Sequence, residues 1–367
     1  VSRGTWTVKT KLTKNPPPRR RGLETIGAID LHFHGAFGID LMSASPNQLN
    51  ELSAALWQSG LAGFCPTTVT TPIPNLAQTV KKLGHWIRSN RFPGAKPLGI
   101  HLEGPWIHPE MNGAHPSRLV RKLKRSELEK LWEASQETLK IITLAPERLS
   151  FSELQWLITW CKERNILLSA GHSRATFEEA KKCFELGIQG VTHAWNALAY
   201  HHREPGVLGA ALGNPQIYLE LIVDQVHLSR PWIRWTRQLH PSQSICMISD
   251  CVAPAGSRPN QQASDWTTLG GLAVRLIDGA SRSKNGQLAG GGQLLTESYS
   301  RWVLAEALDL GLTVQKVLKD SVHQLTLVPA RVLGIKPGFF KDRKVIWNYD
   351  RQEGLSVIPI DSQATPR

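Results

Sequence analysis

The residue types best suited to chemistry in this 367-residue chain are histidines and carboxylates standing where apolar runs turn polar. His32 and His34 close the run "IDLHFHG" one residue apart, so on a strand both imidazoles project from the same face. Glu103 in "GIHLEGPW" precedes Gly104 and Pro105, which end a strand and expose the carboxylate at its rim, with His101 two residues earlier on the same face. His172 in "SAGHS" and His193 in "VTHAWN" end two consecutive runs, and Asp250 ends "MISD". One carboxylate and two imidazoles are the usual complement of a catalytic zinc that keeps an open position for water. His32 and His34 either hold a second divalent ion or line the site of the first. Asp250 is placed to take a proton from a metal-activated water and return it to a leaving group, or else to orient a ligand histidine.

These side chains share a site only if the elements carrying them converge. Eight short apolar runs, at 25–35, 63–70, 96–105, 139–147, 165–173, 187–196, 216–227 and 244–254, each end in polar residues and precede a helix-like segment. In "SFSELQWLITWCKERN", Phe151, Leu154, Leu157 and Trp160 recur every three residues behind a Ser150 cap; in "TFEEAKKCFELG", Thr176 caps a face of Phe177, Ala180 and Phe184 that stops at Gly187. Eight strand-then-helix units predict an α/β fold of the (β/α)8 TIM barrel type, whose chemistry sits at the C-terminal ends of the strands. The barrel is expected over 25–335, flanked by an abbreviated N-terminal segment, 1–24, and a C-terminal tail, 336–367, that completes a reduced small β domain. After the eighth strand the sequence suggests two short strands and a Gly-rich loop, then a helix beginning near Thr296.

Composition narrows the function class. With 41% hydrophobic and 20% charged residues the chain is globular, and its formal charge of +13 suits an anionic partner. The basic clusters, "PPPRRR" at 16–21 and "RLVRKLKR" at 118–125, are not interleaved with aromatics as a single-strand nucleic-acid groove would be; the second reads as an amphipathic helix. Five widely spaced cysteines form neither a disulfide framework nor a thiolate metal site, which points to the reducing cytoplasm. Apolar stretches are broken well before 18 residues, so neither a membrane span nor a secretion signal is expected.

The motifs "DLHFHG", "HLEGPW", "NGAHP", "AGHS", "THAWNAL", "REPG", "VDQVH", "SDCVAPAG" and "LAGG" occur in the order and approximate spacing of the N-acetylglucosamine-6-phosphate deacetylases, and the chain resembles that family of the amidohydrolase superfamily. The resemblance implies hydrolysis of the acetamido group of N-acetylglucosamine 6-phosphate, giving glucosamine 6-phosphate and acetate in amino-sugar catabolism. It implies metal ligation by Glu103, His172 and His193, with His32 and His34 matching a pair that holds a second ion in some members. It makes Asp250 the catalytic acid/base and Ala114 and His115 the sugar-binding pair, His115 donating to the acetamido oxygen or orienting a hydroxyl. Asn196 and Ala197 would contact substrate; Arg203 and His227 would bind phosphate, Arg203 across a homodimer interface or else as a surface salt bridge. Leu288, Ala289 and Gly290 would close over the substrate. The divalent metal would be zinc, with iron or manganese accepted by the same donors and one or two ions held.

The chain departs from the family at its N-terminal segment, beside the active residues, and in its tail, where "GFFKDRKVIWNYD" replaces the common pattern rich in Gly, Ala and Asp leading to an apolar strand. Only about 24 residues precede strand one, where the family has about fifty, so half of the small β domain is expected to be abbreviated or to lie upstream of Val1. Trp195, Cys251 and Pro254 differ from commoner spellings beside the active residues. Competing readings are an N-acetylgalactosamine-6-phosphate deacetylase, a dihydroorotase-like amidohydrolase, against which "GAHP" and "REPG" argue, and a non-catalytic anion-binding barrel.

Overall fold

The computed structural model describes residues 22–256, 266–336 and 338–360; "TWTVKTKL" and the basic run at 16–21 lie outside them. The segment expected as strand one divides at Gly27. Strand β1 (Leu23–Ile26) joins a small antiparallel sheet, whereas β2 (Ala28–Phe33) opens the barrel. There follow β3 (Leu61–Thr68), β4 (Ile100–Glu103), β5 (Leu139–Leu144), β6 (Leu167–Ala170), β7 (Gly190–Val191), β8 (Tyr218–Ile222) and β9 (Ile245–Ile248). Each pairs in parallel with the next. The ring is closed beyond β9, where Asp250 N donates to His32 O at 3.0 Å and His34 N donates to Cys251 O at 2.9 Å.

A helix follows every barrel strand: α1 (Pro46–Gln58), α2 (Ile73–Ser89), α3 (Arg125–Ala134), α4 (Phe151–Glu163), α5 (Phe177–Leu186), α6 (Gly206–Leu212), α7 (Arg230–Leu239) and α8 (Leu295–Leu310). Ser150 and Thr176 start α4 and α5 with capping boxes completed by Glu153 and Glu179. On α4, Leu154, Leu157 and Trp160 are buried, but Phe151 is 65% exposed. A strict three-residue spacing drifts by about 60° per step on a 3.6-residue helix, so its first and fourth members fall on opposite sides. The run at 118–125 is not an amphipathic helix. It follows a short 3-10 turn, Ser117–Leu119, and runs non-helically to α3, tied by Arg121 N to Pro105 O at 3.0 Å and by burial of Leu123.

After β9 the structure has four strands rather than two: β10 (Thr267–Leu269), β11 (Leu272–Ile277), β12 (Ala280–Ser283) and β13 (Leu288–Gly291) form an antiparallel sheet. Asp40 anchors it, its Oδ2 accepting from Thr268 Oγ1 and Gly270 N, both at 3.0 Å. Two short helices, α9 (Val314–Ser321) and α10 (Leu327–Val332), then lead to β14 (Lys344–Asp350) and β15 (Gly354–Pro359), which complete the small sheet in the order β1-β14-β15. That sheet rests on α8 through Trp347 and Tyr299, whose ring centroids lie 5.4 Å apart. Val328, Leu333 and Phe340 pack on Ile29, Leu31, Cys65, Ile141 and Ile248 of the strands, an apolar cluster set apart from the polar strand ends. All five cysteines are buried and free, and among the described residues no helix is long and apolar enough to cross a membrane.

Candidate metal centre and substrate site

The strand ends bring six side chains into contact. Glu103 ends β4, and its two oxygens face different partners. Oε1 lies 3.1 Å from both His172 Nε2 and His193 Nε2, which are themselves 3.0 Å apart. Oε2 lies 3.4 Å from His32 Nε2 and 3.3 Å from His34 Nε2, with Asp250 Oδ1 3.4 and 3.2 Å from the same two nitrogens. Ligands expected from separate strands therefore form two adjoining clusters bridged by one carboxylate.

Strand alternation aims the first pair: Leu31 joins the apolar cluster with Ile29 on one face, while His32 and His34 both turn to Glu103 on the other. Several site residues hold left-handed backbone: His172 at φ 50°, His193 at 32°, Trp195 at 81°, Ala197 at 51° and Asp250 at 50°. Non-glycine residues adopt this region at a cost, and such strain gathers where strand ends must aim side chains.

Tautomers show what the clusters can hold. His172 Nδ1 lies 2.6 Å from Met111 O and His193 Nδ1 3.2 Å from Asn196 O; carbonyls only accept, so both Nδ1 atoms donate and leave Nε2 to face Glu103. Burial, against the pull of Glu103, lowers His172 to about 4, so it is neutral near pH 7 and its Nε2 carries a lone pair. Two imidazole nitrogens and a carboxylate oxygen thus converge at 3.0–3.1 Å, the donor types and spacing that a cation joins. In the other cluster burial works against charge on His34, yet hydrogen bonds to Asp250 and Glu103 push it up to about 9. Burial disfavours the charged forms of Glu103 and Asp250 too, but the neighbouring histidines hold both well below the usual carboxylate range. Both clusters favour positive charge and present the N and O donors of a divalent metal; His32, His34 and Glu103 form one compact set of donor atoms.

Around this centre, His115 Nδ1 accepts from Thr70 N at 3.1 Å, which leaves Nε2–H as the donor, 3.4 Å from Glu103 Oε2. Ala114 and His115 line one wall of a groove of about 950 Å³, and Gln287 Nε2 donates to Gly113 O across it at 2.9 Å. The segment expected as a closing loop is instead strand β13. Gly291 N donates to Asp250 O at 2.7 Å, and a Cβ on Gly290 would meet Val252 Cγ1 at 2.6 Å, so Leu288, Ala289 and Gly290 are fixed beside Asp250. Asn196 Nδ2 donates to His193 O at 3.3 Å, and Ala197 O accepts from Ser173 N at 3.2 Å. His227 Nδ1 pairs with Asp224 Oδ2 at 2.7 Å; Asp224 outweighs burial and raises the imidazole above its ordinary 6.5. Arg203 is not brought to the centre within one chain. It is exposed on its loop, with Nε donating to His202 Nε2 at 3.2 Å.

Sequence reasoning missed Thr70, Asp224 and Glu220. Glu220 Oε2 lies 3.2 Å from His32 Nδ1, and its signal was a lone acid inside the apolar run "YLELIV". His101 belongs beneath the centre rather than in it, its ring nitrogens engaged by Leu31 O at 2.9 Å and Thr143 Oγ1 at 2.7 Å.

Comparison with known proteins agrees with the barrel fold. Residues 25–265 match the model of the amidohydrolase family. An N-acetylgalactosamine-6-phosphate deacetylase from Escherichia coli O157:H7 is 33% identical over 91% of this chain and 82% of its own. An N-acetylglucosamine-6-phosphate deacetylase from Bacillus subtilis is 34% identical over 69% of this chain and 64% of its own. The crystal structure of N-acetylglucosamine-6-phosphate deacetylase from Thermotoga maritima superposes with a TM-score of 0.74 at 30% identity, covering 97% of this chain and 91% of that one. The chain belongs to the amidohydrolase family.

Proposed function

We propose that this protein hydrolyses the acetamido group of N-acetylglucosamine 6-phosphate, releasing acetate and glucosamine 6-phosphate. The observation that carries the reading is the convergence of Glu103, His172 and His193 on a point favouring a cation, with Asp250 and the His115 donor beside it. Glu103, His172 and His193 would hold a divalent ion, zinc by donor type, and His32, His34 and Glu103 a second. When bound, such an ion activates water and polarises the amide carbonyl as a Lewis acid. Asp250, held ionised, takes the water proton and delivers it to the departing sugar nitrogen. His115 Nε2–H donates to the carbonyl oxygen as negative charge develops there. The His227 imidazolium, poised by Asp224, pairs with the 6-phosphate, and Asn196, Ala197 and Ala114 position the sugar under Leu288, Ala289 and Gly290.

Arg203, exposed on its loop, fits a homodimer in which it completes the phosphate site of the neighbouring chain. The free, buried cysteines support a cytoplasmic setting. A second reading, N-acetylgalactosamine 6-phosphate as substrate, is favoured by the name of the Escherichia coli relative. Measuring free amine released from both sugar phosphates by the metal-loaded protein decides between them, with the gluco compound expected to be the faster. Asp250→Asn should lose roughly 10²–10⁴-fold in kcat. Amine release from neither compound, or an undiminished rate in the variant, refutes the proposal.

A further inference from the structure

We infer that Glu220 is a positioning residue, whose carboxyl fixes the tautomer and aim of His32 so that the His32–His34 pair binds an ion of its own. This rests on the reading that the pair holds a divalent ion. Glu220 lies in the middle of β8, 0% exposed between Leu219 and Leu221, where an apolar side chain would serve packing better. Its Oε2 lies 3.2 Å from His32 Nδ1 and 3.4 Å from His193 N, while Oε1 has no hydrogen-bond partner. Among the described residues no lysine or arginine forms an ion pair with it; its one ion-pair partner is His32. A buried carboxyl with an idle oxygen is unfavourable unless positive charge comes close.

With Nδ1 donating to Glu220, the neutral ring of an ion-binding His32 would carry its lone pair on Nε2, which lies 3.1 Å from His34 Nε2 and 3.4 Å from Glu103 Oε2. A carboxylate behind a ligand imidazole fixes its orientation and increases its basicity, and so strengthens its hold on a cation. The other imidazoles are backed differently: His172 and His193 by the neutral carbonyls of Met111 and Asn196, and His34 at Nδ1 by no partner among the described residues. Glu220 therefore backs an imidazole in only one of the two clusters, its contact with the other being the longer one to the His193 backbone N. The hypothesis separates the ions: removing Glu220 should weaken the one at His32 and His34 and spare the one at His172 and His193.

The test is titration of the metal-stripped full chain with Co²⁺, followed by visible absorption and by ion content after dialysis, for wild type, Glu220→Gln and Glu220→Met. Glu220→Met fills similar volume without a polar atom, so whichever variant retains the wild-type circular dichroism spectrum gives the answer. Wild type should take up two ions per chain. The folded variant should take the first with wild-type affinity and the second 10–100-fold more weakly, with the matching loss of absorption intensity. Two ions bound with wild-type affinities by both variants would overturn the role of Glu220. A wild type that takes only one ion would overturn the two-ion reading itself, and this inference with it.

Discussion

Glu103 separates its work between two oxygens. Oε1 faces the Nε2 atoms of two imidazoles whose Nδ1 atoms donate to carbonyls, and Oε2 faces a pair of imidazoles that share Asp250. The ligand types were legible in the sequence because each stands where an apolar run turns polar. The residues that orient them were not, because Thr70, Asp224 and Glu220 act through partners distant in sequence or hidden within an apolar strand. At this scale pH reports on His227. Its pKa is raised in the folded protein, so its charge is present below that value and lost as pH rises through it, while the substrate phosphate stays dianionic above about 6. KM should therefore rise as pH passes above the ordinary imidazole range, with kcat little changed. Asp224→Asn removes the group that holds the imidazolium, so its rise in KM should begin at lower pH. A KM profile that does not move in that variant would show that His227 does not carry the phosphate charge.

The elements aim these residues partly by departing from regularity. Regular alternation along β2 turns His32 and His34 to one side, but left-handed residues at the other strand ends place His172, His193 and Asp250. Periodicity identified the strands but not these departures, which depend on neighbours across the barrel. The same limit explains the run at 118–125, whose spacing suits a helix but whose backbone is tied to Pro105. It also explains 288–290, which lead into a glycine run like a loop yet belong to a strand bonded through Gly291 to Asp250 and Val252. Caps were more legible, since Ser150 and Thr176 act within three residues of themselves. Gly104 offers a test of element geometry. At φ 67°, a Cβ there would meet Thr70 Oγ1 at 2.5 Å and come within 3.5 Å of His115 Nδ1. Gly104→Ala should cost about 1–3 kcal/mol in denaturant unfolding and lower kcat by displacing His115. Unchanged stability and turnover would show that the Thr70–His115 contact is dispensable.

Across the whole molecule, eight parallel strands close into a ring through the segment that carries Asp250, so closing the barrel also brings this carboxylate to His32 and His34. The strand–helix alternation made the barrel legible, because each unit repeats the same apolar-to-polar turn. The small sheet was less so: β1 and β14 are more than three hundred residues apart, and nothing local pairs Leu23 with Trp347. On the proposed function, side chains gathered from separate strands hold the ion on which deacetylation depends. The direct measurement is acetate released from N-acetylglucosamine 6-phosphate by chelator-stripped protein as zinc is restored in known amounts per chain. The stripped protein should be inactive, and its rate should return in proportion to bound ion. Turnover by the stripped protein at the rate of the loaded one would contradict the account.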